Sequence, residues 1–297
     1  MISGQLKDMS SWVLYLDQAP LPVLRRTVAE LAQFRKDEDN LNGRDLAKAI
    51  LHDPLMTLKV LRYLQSHHSR SQNNEITTIA RAVMMLGTTR FFTHFTRQPL
   101  IEDMLAEHPE ALQGAMQVIS RAHHAALYAQ DWSMVRHDME SDEVAIAALL
   151  HDMAEILVWC FAPQLMLEIR QKMQADHTLR SADAQQQVLG FRLLDLQLAL
   201  TAEWHLPQLL QTLMDDQHAD HARTRNAVLA VALARHSASS WHNAALPDDY
   251  LAIQNLLHLS PEETMQRIHR ITLNAAQEWQ WYGVPPAAAW LPQLPDA

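Results

Sequence analysis

An all-helical protein is the fold class this sequence predicts, on three observations. Apolar residues recur at helical spacing along most of the chain, and no alternating strand pattern competes with them. Only 6 of the 297 residues are glycine, too few for a turn-rich sandwich or a glycine-looped nucleotide fold. Proline and aspartate fall where helices should begin. The length exceeds the ~250 residues at which single cores stop growing, and 48% apolar with 20% charged residues is ordinary globular usage, which excludes disordered and fibrous classes.

The elements follow in order. Val23, Leu24, Val28, Leu31 and Phe34 give a first helix over residues 22–35, ended by the polar stretch 37–42. Leu46, Ile50 and Leu51 follow Gly43-Arg44-Asp45, and the next helix starts at Asp53-Pro54, where Asp is a good N-cap worth ~1 kcal/mol and proline fits the first helical position. Leu55, Leu58, Leu61 and Leu64 form its buried stripe, and Ser66 to Asn74 reads as a polar loop. Ile76, Ile79, Val83, Met84 and Leu86 make another apolar face that Gly87 closes, and a helix opening at Thr88 or Thr89 carries Phe91, Phe92 and Phe95. Further helices are predicted over 99–106, 109–130, 142–161, 163–175, 181–190, 193–203, from Pro207 to about Asp215, and over 223–240, with two more starting near Pro247 and Pro261. The tail from Gln277 carries Trp279, Trp281, Tyr282 and Trp290 and is too proline-rich for helix beyond about Gly283.

Charge narrows the function classes. Lys+Arg 24 against Asp+Glu 34 gives a formal −10, a surface that repels phosphate backbones and anionic lipid, so neither nucleic acid nor membrane is expected as a partner. The lone Cys160 can form no internal disulfide, and Met1–Pro20 lacks the order of a signal peptide, so a cytoplasmic setting is expected. The most apolar region, 144–163, is interrupted by His151, Asp152 and Glu155 and reads as a buried helix, not as a span of ~20 unbroken apolar residues. Phosphate-loop, Rossmann, paired C-x-x-C and nucleophile-elbow patterns are absent.

The sharpest chemical feature is His151-Asp152 inside the apolar run 147–157. A buried charge must be paired, hydrogen-bonded or metal-bound, so this doublet needs a partner from elsewhere. His123-His124 on the preceding helix are the natural candidates, and one of them with His151 and Asp152 could give a nitrogen, nitrogen, oxygen set for a divalent transition metal. The structural alternative is a plain His–Asp hydrogen-bond pair. Adjacent histidines point about a quarter-turn apart, so one should face His151 and the other solvent. Glu155, one turn after His151, could be a ligand, an acid or base, or a partner for a cation.

These residues resemble a known family. The His151-Asp152 helix preceded by a His-bearing helix resembles the HD superfamily of metal-dependent phosphohydrolases. Leu21-Pro22, then Ile50-Leu51-His52-Asp53-Pro54-Leu55 with Leu58, Val60, Leu61 and Arg62, then Ile79, Ala82 and Met85-Leu86-Gly87, are similar to the HDOD domain, the HD-related output domain of bacterial signalling proteins. Gly190-Phe191 and Trp204-His205-Leu206-Pro207 resemble its later stretch, so the likeness runs from about Leu21 to Asp216. It implies an N-terminal helical bundle (12–107) packed on a degenerate HD-like helical half (108–216), with residues 217–297 adding C-terminal helices and an aromatic, proline-rich tail that complete that half.

For catalysis the resemblance implies little. His124 (or His123), His151 and Asp152 match the first three positions of the HD pattern, but the distant Asp is replaced by Val231, and a histidine common after Gly190 is replaced by Leu193. Cyclic-dinucleotide phosphodiesterases follow the doublet with Gly-Lys, where this chain has Ala154-Glu155. A phosphodiester-cleaving centre needs a well-held metal. The expectation is therefore a non-catalytic signalling protein with no cofactor, acting on a signalling or regulatory protein partner. The alternatives are a divergent phosphohydrolase using His124, His151 and Asp152 with Glu155 or Asp195 as a further ligand, and a relic pocket that senses a small nucleotide.

Overall fold

The structure is a computed structural model that describes residues 2, 4–38, 41–67 and 75–292. It is 73% helical, with no strand among the described residues beyond one parallel bridge between Val23 and Leu100. In chain order the helices are α1 (Met9–Gln18), α2 (Arg25–Lys36), α3 (Gly43–Leu51), α4 (Pro54–His67), α5 (Ile79–Leu86), α6 (Thr88–Phe95), α7 (Ile101–Met104), α8 (Pro109–Val135), α9 (Ser141–Leu150), α10 (Met153–Phe161), α11 (Pro163–Ala175), α12 (Ser181–Leu189), α13 (Leu193–Glu203), α14 (Gln208–Leu213), α15 (Ala222–Ser237), α16 (Leu246–Leu257) and α17 (Pro261–Gln277). The sequence-predicted loop over 66–74 lies outside the described residues from 68 onward, as does the tail beyond 292.

Two compact units divide the chain. One comprises residues 1–118 and 152–211, the other 119–151 and 212–297. The chain passes between them within α8, at the His151–Asp152 bond, and after Gln211.

In the first unit the Asp53 carboxylate is fully buried and acts in two directions. Its Oδ1 accepts the Leu55 and Met56 N–H groups at 3.0 Å each, capping α4, while its Oδ2 accepts the Leu24 N–H at 2.8 Å and the Thr27 hydroxyl at 2.9 Å. The predicted N-cap is present, and it also fastens the start of α2. Burial pushes the Asp53 carboxyl above its ordinary value, and the four donors oppose that rise. Helix α1 was not anticipated from the sequence. Asp8 caps it through the Ser11 N–H at 2.8 Å, and Trp12 and Leu16, one turn apart, are wholly buried. Asp17 at its end receives Arg62 Nη2 at 2.5 Å and Trp204 Nε1 at 3.0 Å, and the Arg62 guanidinium lies over the Trp204 ring at 4.9 Å. Two motif residues 142 positions apart in number (204 − 62) thus share one carboxylate.

The predicted single helix over 142–161 is broken. A turn at His151-Asp152 separates α9 from α10, and the Ala154 N–H at the new helix start is taken by the buried Gln197 side chain of α13 at 2.9 Å. A side chain 43 residues further on therefore satisfies a donor that an unbroken helix would have satisfied itself. The stretch Ser141–Phe161, 21 residues with mean hydropathy 1.8, is long and apolar enough to cross a membrane by composition, yet 89% of it is buried within the protein, as in a core helix.

The second unit packs α15 against α9 and α16, and α16 against α17. Asn226 of α15 donates to the Ala129 carbonyl at 3.0 Å and to Ser133 Oγ at 2.9 Å on α8, and Asp131 of α8 receives Arg267 at 2.7 Å and Arg270 at 3.0 Å from α17. The tail forms two short 3-10 turns, Trp279–Trp281 and Ala287–Trp290. Tyr282, Val284 and Ala287 are its buried residues, whereas Trp279 and Trp290 remain about half exposed.

Candidate functional site

The candidate site is the histidine-bearing part of α8 with the residues around it. In the second unit His123 and His124 are both buried, each 6% exposed, which overturns the expectation that one of them faces water. The reason is the C-terminal segment: His123 Nε2 lies 2.9 Å from Oε2 of Glu278, the residue that ends α17, and its ring tilts against Tyr282 at 5.7 Å. His124 points the other way and stacks on Tyr128, ring centroids 4.3 Å apart. Tyr128 is held in turn by the Thr272 hydroxyl at 2.6 Å and stacks on Trp132. The Nε2 of His124 has no hydrogen-bond partner, and burial with the neighbouring His123 pushes its pKa down to about 3. It is a neutral imidazole set into an aromatic stack.

His151, the last residue of this unit's first segment, is 8% exposed and its Nε2 lies 3.1 Å from Oδ1 of Asp216, which opens the short turn Asp216–His218. Asp216 and Glu278 are the carboxylates that sequence reasoning missed. Asp216 lay at the edge of the recognised motif, and Glu278 lay within a stretch read only for its aromatic residues. A family metal centre would require several of these groups to converge. His123 and Glu278 are among the ligand-bearing residues whose atoms lie within 4.8 Å of one another, close enough to hold a metal ion.

The other sequence candidates lie in the first unit. Asp152 is buried at 8% exposure and precedes α10. Glu155 on α10 helps keep the half-buried Arg170 charged. Asp195 is bonded to Arg192 at 2.6 and 3.0 Å and closes a capping box at the start of α13; the hydrogen bond from Arg192 holds its carboxyl below the usual range. Cys160 is buried, and its thiol is pushed far up by desolvation, which suits an inert core residue. Of the two substituted family positions, Leu193 lies in this unit and Val231 in the second, and both are buried, at 6% and 4% exposure.

Comparison with known proteins agrees with this architecture. The HDOD domain family model matches residues 21–220. No curated protein matches the chain. Among solved structures, the chain is similar to the MmoQ response regulator of Methylococcus capsulatus, with TM-score 0.65 and 17% identity, covering 84% of this chain and 98% of that one. It is similar as well to a virulence factor of Campylobacter jejuni, with TM-score 0.65 and 20% identity, covering 96% and 99%. At such identities these likenesses establish the fold. The match to the family model over more than half the chain goes further: this protein belongs to the HDOD domain family.

Proposed function

We propose that this chain is a non-catalytic HDOD output protein that transmits a signal by binding a regulatory protein partner. The observation that carries the reading is Val231, buried on α15 where the HD pattern has its distant Asp: an isopropyl group offers no ligand atom and is committed to the core. The surrounding imidazoles support it. His123 is engaged by Glu278, and His124 is stacked in an apolar wall, so both serve packing. The similar structure described as a response regulator is consistent with a signalling role.

One contact favours the rival reading of a divergent phosphohydrolase: Asp216 beside His151 supplies a carboxylate where the motif lacks one. Both readings meet in one experiment. Purified protein is dialysed, supplied with manganese, analysed for metal, and assayed on cyclic dinucleotides and nucleoside phosphates. The proposal expects no turnover above that of His151→Ala. Stoichiometric metal together with hydrolysis that His151→Ala and Asp216→Asn both abolish would replace it with the phosphohydrolase reading.

A further inference from the structure

Apart from the histidine centre, the first unit contains a cleft of about 440 Å³ walled by the end of α1, α4 and α6. Its size lies in the lower part of the ~300–1,000 Å³ range typical of small-molecule sites, larger than a bare inorganic anion needs. Its lining combines apolar and aromatic Leu21, Tyr63 and Phe95 with Lys59, Arg62 and His94, and the Tyr63 ring lies against His67 at 4.1 Å and His94 at 4.6 Å.

The cations are unequal. Arg62 is already neutralised by Asp17. Lys59 donates to the Leu21 carbonyl at 2.7 Å, and no described carboxylate pairs with it. A half-buried ammonium held by a single neutral acceptor keeps two N–H donors for another partner. Desolvation lowers its pKa to about 8, with the more distant Asp53 opposing that shift, so an arriving anion would regain what burial costs. Beside it in the lining, His94 Nε2 meets the Tyr63 hydroxyl at 2.8 Å. That bond fixes an exposed imidazole at the rim, where its other nitrogen can serve a ligand.

We propose that this cleft binds a small phosphate-bearing organic ligand of mononucleotide size, with its phosphate on Lys59 and its ring against the Tyr63–Phe95 wall. The site is independent of the histidine centre and of the partner-binding reading above. An excess anion is what a lone half-buried ammonium selects, and the aromatic wall is what a bare phosphate would leave unused.

The test titrates the full-length protein with AMP, adenosine and inorganic phosphate, following thermal unfolding and calorimetric binding. AMP should bind saturably, with adenosine and inorganic phosphate each weaker by roughly tenfold or more, the factor expected when one charge-assisted contact or one stacking face is lost. Lys59→Met should weaken AMP by a similar factor, while Lys48→Met on α3 should not. A readout on unaltered protein guards against a misfolded variant: AMP should slow reductive methylation of Lys59, measured by mass spectrometry, without slowing that of Lys48. Equal binding of adenosine and AMP, unchanged AMP affinity in a folded Lys59→Met, unprotected Lys59, or no saturable binding at millimolar AMP would each overturn the proposal.

Discussion

The Thr27 hydroxyl donates to Asp53 at 2.9 Å, and both side chains are fully buried, so the start of α2 and the start of α4 depend on a single carboxylate. Replacing Asp53 with Ala removes an N-cap, worth about 0.5–2 kcal/mol, and also strands the buried Leu24 N–H and Thr27 hydroxyl, each costing about 1–3 kcal/mol. A loss of roughly 3 kcal/mol or more is expected in urea unfolding. Asp53→Asn should recover only part of it, because its amide turns a donor toward donors. A loss below ~1 kcal/mol for Asp53→Ala would show that the carboxylate does not bridge the two helices.

His124 makes the fold sensitive to acid. Its folded pKa is about 3 against an ordinary 6.5, so its contribution is fully present above pH 6.5. As pH falls, the unfolded chain takes up a proton that the folded one refuses, and stability drops by about 1.4 kcal/mol per unit between those values. His124→Phe should keep the stack on Tyr128 and flatten this slope. Urea melts at pH 7 and pH 5 measure it; an identical pH 7-to-5 difference in both proteins would assign the acid sensitivity elsewhere.

Gly114 on α8 should reverse the usual helix rule. An alanine normally favours a helix over glycine by about 1 kcal/mol. Here a Cβ would stand 2.7 Å from the Trp159 ring and 2.7 Å from the Arg170 guanidinium, which lies over that ring at 4.6 Å. Arg170 can swing away, but the buried Trp159 cannot, so Gly114→Ala should destabilise by about 1–3 kcal/mol through overpacking. An increase in Tm would contradict the packing.

Gln197 should matter despite lying far from the doublet in sequence. Gln197→Leu leaves the Ala154 N–H buried without its acceptor, a cost of about 1–3 kcal/mol. Amide exchange at Ala154 should rise in the variant more than at Leu149 within α9. Unchanged protection there would mean that another group accepts this proton.

Local sequence determined the helices whose signals are local. Asp53-Pro54 announced the start of α4, Gly87 the end of α5, where it adopts φ 73°, and Ser260-Pro261 closes a capping box with Glu263. Helix α1 has local signals too, in Asp8 and the Trp12–Leu16 pair. The doublet, the substituted positions Val231 and Leu193 and the family were readable because each is a matter of residue identity.

Tertiary structure alone decided what those residues touch. The Ala154 N–H at the break between α9 and α10 is taken by Gln197, and the partners of His123 and His151 stand 155 and 65 residues away. No periodicity encodes such pairs. An imidazole–carboxylate contact is set by which helix faces meet when the apolar stripes bury, and many carboxylates in this acidic chain were equally eligible until packing chose Glu278 and Asp216.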